Sequence, residues 1–292
     1  MARAMPSFLN RRSLLLAALT ARPVGGQAQQ RRSLADPMRL GVDLALHESG
    51  LAPALQRGFG RDTGVAVKLV PAAASSVLQA LEQGEVDAAL CNSPLAEARL
   101  EALGFAHERA VVAISEFVIV GPLLKAPAVG KTSKPSRPAK PPKPRDPAGL
   151  AGAATAAQAL QRLVEAAAAD ASIQFLSAND GSGTHATEEA LWRAAKIAPV
   201  APWYQRAGAA PGLIAAARQQ ATYALVERGA WAAHGGPPLA VLVQGDRTLR
   251  VAVHVMRGFR SKHAAAKLFC AWLVGAKGRG VVAASSGYRT PG

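Results

Sequence analysis

Between residues 38 and 92 apolar runs alternate with helix-like stretches, and this alternation limits the fold more than any other feature. "MRLGVDLAL" (38–46) reads as a buried strand, and "HESGLAPALQRGFGRDTG" (47–64) as a helix with Ser49 as N-cap and Pro53 near its first turn. "VAVKLV" (65–70) is a second strand, "SSVLQALEQG" (75–84) a helix ending at Gly84, and "VDAALCN" (86–92) a third strand. A β-α-β-α-β succession is the pattern of a parallel sheet covered by helices, so an α/β fold is expected. Composition agrees: half of the 292 residues are hydrophobic and only 5% aromatic, which suits helix-rich packing better than an all-β sandwich.

The apolar, β-rich run "AVVAISEFVIVGP" (110–122) follows, then a helix over 154–169 and a strand "IQFLS" (173–177). A helix over 185–197, strand-like "PLAVLVQGD" and "LRVAVHVM", and two terminal helices within 261–286 complete the pass. A first α/β unit, a long middle section and a returning C-terminal portion fit a two-lobed chain that crosses its hinge twice and closes on a small ligand.

The net charge of +15 first suggests nucleic acid, but its location argues otherwise. Residues 1–28 hold four arginines, and residues 123–145 hold seven Lys/Arg with no acid, which leaves the remaining chain at +4. The Pro-rich stretch at 123–145 cannot build a core, and its composition predicts a flexible surface insertion. It has no aromatic side chain on which bases could stack, so no nucleic-acid partner is expected. Arg11-Arg12, the apolar "SLLLAALTA" and "GQA" at 26–28 stand in the order of an export signal, with cleavage expected after Ala28. "NRRSLLL" also loosely fits a twin-arginine signal. No later segment is long and apolar enough to span a bilayer.

"SANDGSGTH" (177–185) lies between a strand and a helix. Such a turn aims unpaired backbone N–H groups and the positive end of a helix dipole at one point, the arrangement that holds anions. Gly181 and Gly183 allow close backbone approach, while Ser182 and Thr184 can cap the helix or donate to a ligand. Neither a dinucleotide fingerprint nor a P-loop is present. The six histidines form no His-x-x-x-His pair and the two cysteines, Cys91 and Cys270, are too few for a zinc site, so no metal or other cofactor is expected. Both thiols are expected buried, with a disulfide as the alternative. Ser182 with His185 invites a hydrolase reading, yet no G-x-S-x-G elbow accompanies them. Trp192, Trp203, Trp231 and Trp272 are expected in the core.

"SGLAPAL" with "TGVAVKLV", "GEVDAAL" before "SPLAEARLEALGF", "EFVIVGP", "SANDGSGTH", "LWRAAKI" with "WYQRAG", and "TYALVERGAW" together resemble the periplasmic tungstate-binding proteins of ABC uptake systems, over about residues 39–285. The resemblance implies a two-lobed type II periplasmic binding protein, each lobe a mixed, mostly parallel sheet flanked by helices. Lobe I would comprise 39–118 plus 246–292, and lobe II 119–245 with the insertion at 123–145. It also implies a non-enzymatic, monomeric periplasmic protein that passes an oxyanion such as tungstate or molybdate to an inner-membrane permease. A different small ligand, a partner-binding role and a hydrolase on the same scaffold are the alternatives.

The departures from the family pattern fall at the ligand. Where the family carries Thr-Thr-Thr-Ser after the first strand, this chain has Val42, Asp43, Leu44 and Ala45; where it carries Ser-Arg-Gly-Asp, this chain has Ser177, Ala178, Asn179 and Asp180. A Gly-Thr-Gly turn aligns with Ala73, Ala74 and Ser75. The expected ligand-binding set is Asp43, Ser75, Ser76, Asn179, Asp180, Ser182, Gly183, Thr184 and Arg206. Asp43 would repel a dianion about 4 Å away by several kcal/mol at a surface-type dielectric, unless Arg206 supplies the cation lost at Ala178.

Overall fold

The computed structural model describes residues 36–124, 144–207 and 212–292. The export signal and the basic insertion read from the sequence lie outside these residues, apart from the insertion's ends. Those ends meet: Leu124 and Arg145 exchange two backbone hydrogen bonds of 2.9 Å in an antiparallel bridge.

The first unit runs β1 (Met38–Asp43), α1 (Leu44–Glu48), α2 (Leu51–Thr63), β2 (Val67–Ala72), α3 (Ala74–Gln83) and β3 (Ala88–Cys91). β1 pairs in parallel with both β2 and β3, as the alternation predicts. Two local details differ from the sequence reading. β1 ends at Asp43 rather than continuing to residue 46, because the Asp43 carboxylate caps α1 by accepting from the Ala45 N–H. The expected single helix is broken at Gly50, whose left-handed backbone (φ 81°) is the N-cap of α2; Ser49, expected as that cap, instead ends α1.

After α4 (Pro94–Ala102), the 17-residue β4 (Ala106–Pro122) runs through the whole molecule. Its first part pairs with β9 (Arg250–Gly258), and its last part with β7 (Ala224–Glu227) and β8 (Leu239–Val243), all antiparallel. β9 also pairs antiparallel with β3, so the sheet order is β2-β1-β3-β9-β4-β7 with β8 on β4. β5 (Phe175–Ser177) and β6 (Tyr204–Arg206) form a small parallel pair, joined to the large sheet by a bridge from Phe175 to Tyr223. Helices α5 (Ala156–Ala169), α6 (Gly183–Ala194), α7 (Leu213–Gln220), α8 (Arg228–His234), α9 (Ala264–Val274) and α10 (Ala276–Ala283) complete the layers.

The cores explain why two strands link the halves. Val112 and Ala113 of β4 pack with β1, α2 and α9, whereas Phe117–Val120 pack with the second half. β9 divides likewise, with Val253 and Val255 in the first core and Val251 in the second. Each strand therefore buries apolar side chains in both halves, and the two make the double crossing of a two-lobed α/β protein. Phe59, Phe269 and Trp272 cluster in one core and Phe175, Trp192, Trp203 and Tyr204 in the other, so these tryptophans serve packing. Cys91 and Cys270 are free and buried. No helix among the described residues is long and apolar enough to cross a membrane.

Candidate site between the two lobes

The C-terminal end of β1 and the loop after β5 face each other across the two halves, where ligands of open α/β sheets collect. β1 delivers Asp43 there with no exposed surface. One carboxylate oxygen accepts from the Ala45 N–H at 3.0 Å; the other accepts from the Gly183 N–H at 3.1 Å, at the start of α6 in the other half. The Ala74 backbone at the start of α3 acts on the carboxylate in the same sense. Burial nevertheless raises Asp43 to about 6, against the pull of these donors and helped by the nearby Asp180.

The loop is shaped by its small residues. Gly181 is left-handed (φ 73°) and its carbonyl accepts from the Ser75 N–H at 3.2 Å. At Gly183 a Cβ would stand 1.9 Å from Asn92 Oδ1, so only glycine lets the halves approach this closely. Ser182 caps α6 as expected, accepting from the His185 N–H, and its own N–H donates to Asp180 Oδ1 at 2.9 Å. Asn92 is wholly buried, and neither atom of its amide has a hydrogen-bond partner.

Beside Asp43 lies a cavity of about 630 Å³. Ala45 and Glu48 of α1, Asn179, Asp180, Ser182 and Thr184 of the loop, and Glu227 at the end of β7 are among its walls. No lysine or arginine among the described residues lines it. Glu227 is buried and raised to about 7 by desolvation, although hydrogen bonds from Ser115, Ala230 and Tyr288 oppose the shift. Glu48 is likewise raised by burial, with His234 and His47 acting against it.

The structure thus brings together Asp43, Gly183, Asn179, Asp180, Ser182 and Thr184. Ser75 touches the loop through its backbone and Gly181, while its side chain is exposed. Ser76 is exposed and outside the cavity, because it points away from the buried first turn of α3. Arg206 is exposed on the short strand β6 and also does not line the cavity, so it does not stand in for the missing arginine. Glu48, Glu227 and Asn92 escaped the sequence reading. An acid closing the apolar run "ALVE" before a helix could have marked Glu227 as a cap; nothing local marks the other two.

Ser182 and His185 are not arranged as nucleophile and base. The Ser182 oxygen is engaged as a helix cap, and His185 accepts from the Gly181 N–H through Nδ1 while Nε2 faces Glu189 at 3.7 Å. Neither ring nitrogen is turned to Ser182 as a base. Among the described residues no group of three His, Cys, Asp or Glu is arranged for a metal.

A PBP superfamily domain matches residues 46–276. The chain belongs to the PBP superfamily. Its fold is the two-lobed α/β fold of periplasmic binding proteins. The tungstate-binding protein TupA of Peptoclostridium acidaminophilum is 27% identical over 202 residues, 66% of this chain and 59% of that protein's own length. The crystal structure of the tungstate ABC transporter from Geobacter sulfurreducens is 28% identical, with a TM-score of 0.69 over 86% of this chain and 99% of that one. The tungstate-binding protein TupA of Desulfovibrio alaskensis G20, at 24% identity, a TM-score of 0.63 and coverage of 87% and 99%, shows the same fold.

Proposed function

We propose that this PBP superfamily member is an exported, non-enzymatic solute-binding protein that takes a small oxyanion of the tungstate and molybdate class between its lobes and hands it to an inner-membrane ABC permease. The lobes would be 39–118 with 246–292, and 119–245, with the periplasm as the compartment. One observation carries the reading: at the lobe junction a negatively charged oxygen, here of Asp43, is held by the N–H group at the head of α6. Backbone donors at a helix N-terminus stabilise oxyanions through hydrogen bonds and dipole alike. Ser182 and Thr184 add hydroxyls beside them. The tungstate proteins named above support the same ligand class.

Calorimetric titration of the mature protein, wild type and Asp43→Ser, with sodium tungstate, molybdate, sulfate and phosphate tests the proposal. Saturable binding of one of them supports it, and absence of binding to both proteins refutes it. The acidic walls, Glu48, Asp180 and Glu227, favour a second reading, a ligand that carries a positive group such as a zwitterion. Amino acids and divalent cations in the same titration would reveal it.

A further inference from the structure

We infer that Asp43 is a tethered anion, which ties the two lobes and occupies the very N–H groups that an incoming oxyanion needs, so that ligand and carboxylate compete for one set of donors. The inference rests on the oxyanion reading and adds a specificity-determining residue to it. Both carboxylate oxygens are engaged, one within the first lobe by Ala45 and one across the junction by Gly183. No ion pair to Asp43 is found among the described residues, so backbone N–H groups hold its charge. A second, independent feature points to a ligand at the same place. The Asn92 amide is fully buried, pressed against Gly183, and unused by any protein partner, although buried amides are normally hydrogen-bonded. Its Oδ1 lies nearest Gly183, and the unpartnered Nδ2 is the atom that could donate to an oxyanion displacing Asp43.

The competition has a direction in pH. Protonating Asp43 removes the like charge and weakens its hold on the donors, so anion affinity should rise as pH falls through about 6. The groups electrostatically coupled to Asp43 are Asp180, Cys91 and Tyr288. Burial raises Cys91 and Tyr288 far enough to keep them neutral in this range. Glu227, at about 7, titrates in the same window through the shared cavity and is separated by repeating the profile in Glu227→Gln.

The experiment is titration with sodium tungstate and sodium sulfate at pH 8 of wild type, Asp43→Ser and Asp43→Asn, the last keeping the shape if the serine variant folds poorly. Sulfate, whose charge is constant, is then followed from pH 8 to 5. Small-angle scattering of the ligand-free proteins reports the lobe junction. The expected result is affinity at least tenfold higher in the variants at pH 8, a gap to wild type that closes on acidification, and a larger radius of gyration without the carboxylate. Binding equal to wild type at every pH overturns the competition while leaving oxyanion binding in place. An unchanged radius of gyration overturns the closing role. No binding by any of the three proteins removes the oxyanion reading and the competition together.

Discussion

Replacing Glu227 by glutamine should change how stability depends on pH, and the structure fixes the sign and rough size. Glu227 ends β7, caps α8 through the Ala230 N–H at 3.0 Å, lies 3.0 Å from the Tyr288 hydroxyl and accepts from Ser115. Its pKa rises from an ordinary 4.5 to about 7 because desolvation outweighs these donors. A carboxyl that holds its proton more tightly when folded stabilises the fold below its unfolded pKa, and that contribution is lost as pH rises through the folded value. The span from 4.5 to about 7 corresponds to roughly 3 kcal/mol in full, of which about 2.5 kcal/mol is regained between pH 8 and pH 5. Glutamine keeps the shape and has no proton to exchange. Urea unfolding of wild type and Glu227→Gln at half-unit steps from pH 5 to 8 should therefore show the variant gaining on wild type by about 2.5 kcal/mol toward pH 8. Taking the difference cancels the parallel contribution of Asp43. Two stability curves that stay parallel across the range would refute the reasoning.

Gly183→Ala should prop the lobes apart, because its Cβ would collide with Asn92 Oδ1 at 1.9 Å and the Asn92 carbonyl at 2.8 Å; scattering should show a larger radius of gyration and titration a weaker oxyanion response. Tyr223→Phe should cost about 1–3 kcal/mol in denaturant unfolding, since its hydroxyl joins Asp146 at 2.7 Å to the Ala148 N–H at 2.8 Å and both would lose a buried partner. Replacing residues 125–143 by a short Gly/Ser linker should leave the melting temperature nearly unchanged, because the Leu124–Arg145 bridge already closes the chain at their base; a drop of many degrees would show that the segment packs on the body.

The sequence pattern carried the parts of the fold that depend on near neighbours. The parallel β1, β2 and β3, the Ser182 cap and the twin terminal helices follow from runs of apolar residues and from turn chemistry within a few positions. The break at Gly50 was hidden because Leu44–Leu46 extend the apolar run of β1, so that α1 was split between a strand and a helix, and only the left-handed backbone at Gly50 separates it from α2. The site is harder to read, since its contacts join distant parts of the chain. Asp43 meets Gly183 across 140 residues, and Asn92 comes from a third segment. Periodicity carries no information on such meetings. Arg206 shows the converse: a residue chosen for its charge is the exposed end of a half-buried strand whose neighbours, not its chemistry, decide where it points.

Where the family resemblance implies a hydroxyl at position 43, this chain has a carboxylate that the local fold accommodates. A hydroxyl or a carboxylate at the end of β1 can equally cap a following helix, and Asp43 does so through the Ala45 N–H. The local backbone therefore tolerates the substitution. What changes is the second oxygen, which reaches across to the head of α6 and brings a charge with it. That one contact ties the lobes by a bond internal to the chain and sets a proton-dependent threshold for any anion that would use the same donors. Glu48, Asp180 and Glu227 along the cavity push in the same direction, since each adds negative charge when ionised and two of them are raised by burial. Acidification would discharge Glu227 at about 7 and then Asp43 at about 6. The geometry of an anion site and the electrostatics of an acidic one thus coexist in one cleft, with protonation as the step that reconciles them.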